Sequence, residues 1–345
     1  MKRTIVFLII LLSFYNFYAQ RVKKTYSLVD ALENPSEVKH LVLSALNFDK
    51  EQRKIYKKLD FSCFENLESL EISHSKIKIL PKGICNLSKL RYINLTQNRF
   101  KSFPRELLRI KTLEEINLNE NDITDFPYEV SNLPNLKTLS LYGNQIKSLE
   151  NPRNQTYLLF ELIISGNPIS KESNFLSSFP NLRKLGIGSY DIGMTNYMST
   201  ILANDLRELE VLELSLSRNV ESLPKFVFEL PNLVELNVSS NGAINFDLIA
   251  SPYKDKRQPS RLRMNGGVLK GITSNISNMT GLRFLDISQN CIFVFPEELY
   301  NLNNLEEIDI SGTKLSVKEV EKLQGRMPNC KITNTPSDVV IDCGR

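Results

Sequence analysis

Between Leu67 and Leu182 aliphatic residues return on a fixed beat. Six runs start 23 residues apart, each aliphatic at its first, fourth and sixth places and aliphatic or, at Phe100, aromatic at its eleventh. The pattern is plain in "LEEINLNENDITDFP" (Leu113 to Pro127) and comes back in "LEEIDISGTKLS" (Leu305 to Ser316). Places four and six alternate with polar neighbours, the two-residue period of a short strand with one face buried. Place eleven turns the chain inward again. The half that follows, often opened by a hydrophobic residue and proline (Leu80-Pro81, Phe103-Pro104, Phe126-Pro127, Leu223-Pro224, Phe295-Pro296), returns it along the opposite side. No such unit covers its own apolar face, so stability has to come from stacking on neighbours.

Place nine is frequently asparagine. A bend straight after a strand buries backbone N–H and C=O groups, and an amide side chain, with donors and an acceptor, can serve that bend and the next coil's. The departures are informative. Leu46, Ser75 and Tyr190 stand at place nine, and the unit at Leu209 carries one extra residue. The unit at Leu182 is 27 residues long, predicting a longer helix on the outer wall, and the one at Leu233 holds "SPYKDKRQPS", which reads as an exposed loop. "SLVDALENP" predicts a capping box from Ser27 to Asp30 opening a short helix before a strand at Val38. "VKEVEKLQGRMPNCKI" predicts a closing helix and a last strand, with Met327, Cys330 and Ile332 in core places.

With these positions the chain resembles the leucine-rich-repeat family, whose pattern is LxxLxLxxNxL, in its 23-residue class with a trailing proline and of the exported bacterial type. The resemblance covers Val38 to Ile332 in about twelve units. It implies an α/β fold: a curved right-handed solenoid, with a parallel β-sheet on the concave face and short helices or 3-10 turns on the convex face. It also implies a structural ladder of Asn98, Asn121, Asn144, Asn167, Asn241 and Asn290. The organisation expected is a signal peptide at 1–19, a cap helix within 20–37, the solenoid over 38–332 with its last repeat as a cap, and a tail at 333–345.

Composition changes this picture only at the margins. The 345 residues hold 43 Lys+Arg against 39 Asp+Glu, a near balance that gives no bulk warrant for nucleic acid as a partner. Lys2, Arg3, the apolar run Ile5 to Leu12 and "SFYNFYAQ" read as a leader cut after Ala19, with no transmembrane segment left after cleavage. Five cysteines suit an oxidising compartment. Cys63 and Cys85 lie close to one repeat apart and form a candidate disulfide; Cys330 with Cys343 is a second, weaker pairing.

No catalytic, phosphate-binding or cofactor motif of quality is present, and no cofactor or metal is expected. His40 and His74, with Glu71, make only a slight case for a metal site or a hydrolase. What remains is a surface. Places three, five and seven project from the strand face, where Glu71, Tyr92, Asn94, Glu115, Asn117, Asn119 and Tyr142 form one candidate partner-binding group. Arg261, Arg263, Phe284 and Asp286 form another. Aromatics and arginines are common anchors of protein interfaces. The reading is a non-enzymatic, exported repeat protein that binds a protein partner along its concave face, with a self-associating adhesive module as the alternative.

Overall fold

A computed structural model describes residues 28–43, 58–150, 156–173, 175–188, 201, 203–215, 225–238, 258–266 and 269–336. The leader, Ser27, Tyr190, Asn241, Cys343 and most of the two long units expected at 182 and 233 lie outside them. The chain divides into two compact units. The first runs to Asp122 and takes in Asn132–Leu136; the second holds Ile123–Ser131 and continues from Lys137.

In the first unit a short helix, α1 (Leu28–Glu33), precedes four strands: β1 (His40–Val42), β2 (Ser69–Glu71), β3 (Tyr92–Asn94) and β4 (Glu115–Asn117). They pair in parallel and in sequence order, so that Leu41, Leu70, Ile93 and Ile116 stand side by side. All four are fully buried. Each is place four of its repeat, and each contributes about 1.5–3 kcal/mol against the entropy of ordering the coil.

The second unit continues the design with β5 (Thr138–Ser140), β6 (Ser148–Glu150), β7 (Glu161–Ile163), β8 (Lys171–Ser173), β9 (Lys184–Gly188) and β10 (Val211–Ser215). After these come β11 (Glu235–Asn237), β12 (Arg261–Arg263), β13 (Phe284–Asp286), β14 (Glu307–Asp309) and β15 (Lys331–Thr333). β6 and β8 form a separate parallel pair, while the other nine make one parallel series. A helix, α2 (Val317–Arg326), capped by the Ser316 hydroxyl, lies before β15.

Among the described residues most return segments are 3-10 turns rather than helices, such as Ile84–Asn86, Arg105–Arg109, Ser274–Asn278 and Glu297–Asn301. A 23-residue circuit that spends half its length on strand and bends leaves too few residues for a longer helix. Around Phe126 three rings pack edge-on: Tyr157, Phe175 and Phe179 lie 4.8–6.5 Å from it between centroids. Burial pushes the Tyr157 hydroxyl far above the usual tyrosine range.

The asparagines close each bend. Asn98 Oδ1 accepts from the Ser75 and Ile77 amides, and its Nδ2 donates to the Ile72 and Leu95 carbonyls. Asn121, Asn144, Asn167 and Asn290 accept in turn from the Phe100, Ile123, Ile146 and Leu269 amides. All of these amides come from the coil before, not from the coil after as the sequence suggested. The bend follows the strand, so the side chain leans back over the coil already laid down. Thr313, in the equivalent place of the last repeat, only donates to the Ile310 carbonyl of its own coil.

Place eight carries a feature not expected from sequence. Gly143, Gly166 and Gly312 have φ between +65° and +73°, and Gln97, Glu120 and Gln289 adopt the same left-handed conformation at +52° to +55°. The bend needs it, and glycine adopts it without strain.

The disulfide expected between Cys63 and Cys85 does not form, since both are free thiols, as is Cys330. One repeat on from Cys63 is Asn86, and one repeat on from Ser62 is Cys85. Asn86 Nδ2 reaches the Ser62 hydroxyl at 2.8 Å, while Cys85 turns to Asn86 Oδ1 of its own coil. A spacing of 22 in a 23-residue repeat puts the two sulfurs out of register. Cys330 is half-buried rather than in the core, and burial raises its pKa. Cys291 is fully buried and disulfide-bonded.

Candidate functional site

In the first unit the outward strand positions form two rows, Ser69–Tyr92–Glu115 and Glu71–Asn94–Asn117. Tyr92 does not project, for only 6% of it is exposed. Parallel strands stand about 4.8 Å apart, so a ring at place three lies down among the side chains of both neighbours. The polar members are also engaged. Glu71 accepts from the Ser73 hydroxyl at 2.9 Å, and Asn94 Oδ1 from the Thr96 amide at 3.0 Å. Asn117 Oδ1 accepts from both the Asn119 amide and the Thr96 hydroxyl. Place five thus caps the strand end by bonding the amide of place seven, a local turn that short polar side chains make readily. Glu115 and Asn119 remain half-exposed on this face. His40, His74 and Glu71 are not drawn into a cluster: the described residues contain no group of three or more His, Cys, Asp or Glu placed to hold a metal ion.

The second unit's strand face is built from lateral ion pairs. Lys184 on β9 lies 3.0 Å from Glu161 on β7 and 3.1 Å from Glu213 on β10. Burial opposes its charge, but the two carboxylates outweigh that, and the Lys184 pKa sits above the usual lysine value. Gly186 beside it has no side chain, and Ile163 fills the gap; a Cβ there would stand 2.9 Å from Ile163 Cδ1.

Further on, Glu235 holds Arg261 Nε at 3.4 Å and Arg263 Nε at 2.6 Å. Arg263 also reaches Asp286 at 3.4 Å, and Asn265 donates to the same carboxylate at 3.1 Å. Asp286 is only 4% exposed because its other oxygen accepts from the amide and hydroxyl of Ser288. Both guanidinium groups stack on the ring of Phe284, their central carbons 4.3 and 4.8 Å from its centroid. Phe284, an expected anchor, is therefore covered by the two arginines and is 8% exposed. Arg261 is half-exposed, with Nε toward Glu235 and its central carbon over the ring. Tyr142 is half-exposed, its ring close against Gly166, where a Cβ would meet Tyr142 Cε2 at 3.2 Å.

The structure thus brings Arg261, Arg263, Phe284 and Asp286 into one cluster and adds Glu235, which was not singled out from sequence. Lys184 was missed in the same way. The available signal was opposite charges at the same place in successive units. The same logic runs at place two, where Lys39–Glu68, Arg91–Glu114, Arg183–Glu210 and Arg283–Glu306 pair across neighbouring coils.

A family model described as leucine-rich repeats (2 copies) matches residues 111–154. With the repeat pattern and the stacked parallel coils, this gives the chain the leucine-rich-repeat fold. It is 30% identical over 108 residues to a flightless-1 homolog of Caenorhabditis elegans, covering 31% of this chain and 9% of that one. It is 28% identical over 215 residues to receptor-like protein 35 of Arabidopsis thaliana, covering 53% and 22%. The chain therefore spans under a quarter of the length of these curated relatives. Among solved structures, the functional domain of the InlJ protein of Listeria monocytogenes is similar at 19% identity and a TM-score of 0.49, with 80% of this chain and 58% of that one covered. No helix among the described residues is long and apolar enough to cross a membrane.

Proposed function

We propose that this protein is exported and acts without catalysis, binding a protein partner through its strand face, the concave face in repeats of this kind. The observation that carries the reading is the arginine–phenylalanine cluster of the second unit. Arg261 is oriented before any partner arrives, by stacking on Phe284 and by Glu235 at its Nε. A guanidinium held between a ring and a carboxylate loses little conformational freedom on binding, which is the property of an interface anchor. The export part of the reading is supported by the leader pattern at 1–19 and by the disulfide at Cys291, a bond that persists in oxidising compartments.

The test is affinity capture with the full chain and with Arg261→Gln, from extracts of the producing organism and its surroundings. The reading expects a protein retained by the wild type and weakened at least tenfold by a variant that melts at the same temperature. Equal retention by both removes Arg261 from the interface. Retention of nothing but further copies of the chain supports self-association, which has one observation in its favour: Ile332 in β15 is half-exposed, where its counterparts in earlier strands are fully buried.

A further inference from the structure

The near balance of charge over the whole chain hides a sharp local segregation. Residues 76–111 contain ten Lys or Arg and a single acid, Glu106, whereas residues 112–136 contain six acids and no base. The fold of the first unit turns the basic run into a patch. Lys76 and Lys78 occupy places ten and twelve of one repeat, and Arg99 and Lys101 the same places of the next. The Arg99 amide donates to the Ile77 carbonyl at 2.8 Å, which sets the two pairs edge to edge on adjacent coils. Ile77 is itself fixed by Asn98 Oδ1, so the backbone beneath the patch is anchored.

All four side chains are exposed, and among the described residues none of them makes an ion pair. That separates them from the cations of the second unit's strand face, where Lys184, Arg263 and Lys331 are each held by carboxylates. It also separates them from Lys82, which pairs with Asp60 at 3.7 Å. Beside them Ile79 is 77% exposed, a large apolar side chain that the core does not use. The aromatic residues of the same stretch point inward: Phe100 and Phe103 are buried. On the far side Asp122, whose amide donates to the Phe100 carbonyl, bounds the patch with a negative charge.

The geometry points to this loop edge, Lys76, Lys78, Ile79, Arg99 and Lys101, as a docking site for an anionic lipid surface. Clustered cations are drawn to the negative potential of acidic headgroups. An isoleucine in their midst gains by entering the headgroup–acyl boundary, as the apolar face of an interfacial element does. Neither nucleic acid nor a sulfated polysaccharide has a use for that isoleucine, and among the described residues of this edge there is no exposed ring on which bases would stack. Three of the four cations are lysines, suited to a diffuse field rather than to bidentate recognition.

Co-sedimentation of the full chain with phosphatidylcholine vesicles, with and without phosphatidylglycerol, tests the inference. Binding is expected only when phosphatidylglycerol is present, and it should fall with added salt. Lys78→Gln/Lys101→Gln should weaken it roughly 25-fold, at about fivefold per neutralised cation. Ile79→Ser leaves the charge unchanged and should still weaken binding several-fold. Both variants alter exposed side chains, and unchanged melting shows that they fold. The inference is overturned if phosphatidylglycerol vesicles fail to retain the wild type or retain the double variant equally. It is equally overturned if Ile79→Ser has no effect while heparin or single-stranded DNA competes the vesicles away, which would make the patch a general polyanion site.

Discussion

The side-chain nitrogen of Asn121 lies 3.0 Å from the carbonyl oxygen of Leu95, 26 residues earlier in the chain. The same amide donates to Leu118 of its own coil and accepts from Phe100. One buried side chain therefore closes its own bend and stitches it to the coil before. Asn121→Leu has nearly the same volume and none of these bonds. Leaving buried backbone groups unpaired costs about 1–3 kcal/mol each, so the variant should lose roughly 3 kcal/mol or more. Urea denaturation followed by circular dichroism reads this directly. Asn121→Thr should cost less, since Thr313 in the equivalent place still reaches a carbonyl of its own coil.

The left-handed position at place eight separates two kinds of substitution. Gly166→Ala meets φ +73° and neighbours at 3.1–3.2 Å, including the backbone nitrogen of Gly143. A loss of about 1–3 kcal/mol is expected. Gln97→Gly at φ +55° relieves strain and should range from neutral to about 1 kcal/mol stabilising. Gly325→Ala, where a Cβ meets nothing within 4 Å and the backbone is helical, should gain up to about 1 kcal/mol. A common shift of all three melting temperatures in one direction would contradict the assignment.

Lys184 keeps two glutamates on either side of β9 from facing each other unscreened. Lys184→Met should destabilise by on the order of 1 kcal/mol, the pair being partly open to solvent. Adding Glu161→Gln and Glu213→Gln should return most of the loss. A triple variant no better than the single one would show that Lys184 matters through its methylenes instead.

Glu297 joins Lys322 and Arg326 of α2, at 2.6 and 3.3 Å. The hydrogen bond from Lys322 draws the Glu297 pKa below the ordinary 4.5, with further help from the charges of Lys322 and Arg326. A depressed carboxylate pKa stabilises the fold above the unfolded value and loses that contribution as pH falls through the folded value. The melting difference between wild type and Glu297→Gln should therefore be constant near neutrality, start to shrink as pH falls past 4.5, and vanish once pH is below the folded value. A difference that grows on acidification would reverse the sign and refute the pairing.

Alkylation without reductant, followed by mass spectrometry, should label Cys63, Cys85 and Cys330 after unfolding, while Cys291 takes label only once reductant is added. Cys63, exposed on its turn, should label slowly in the native protein, since desolvation raises its pKa.

The repeat was legible because it is written locally. Leu113, Ile116, Leu118 and Ile123 announce one coil through their own spacing, and Asn121 is recognisable as the residue able to serve a bend. Lateral relations were far less legible. Glu115 and Asn117 could be placed on the strand face, but not that Asn117 already bonds Asn119 and Thr96. Tyr92 and Phe284 had the right place and chemistry for anchors, yet their neighbours on adjacent strands cover them.

The sequence by itself determined the period, the buried places and the parallel order of the strands, because each follows from side-chain spacing within one unit. Tertiary structure alone decided that the asparagines reach backward, that Asn86 bonds Ser62 while Cys63 and Cys85 stay free thiols, and that Glu235 gathers two arginines onto Phe284. It also decided that Lys76, Lys78, Arg99 and Lys101 stand together at one edge. The physical reason is register. Residues some 21 to 28 apart meet only once coils are stacked, and a shift of one position exchanges every partner.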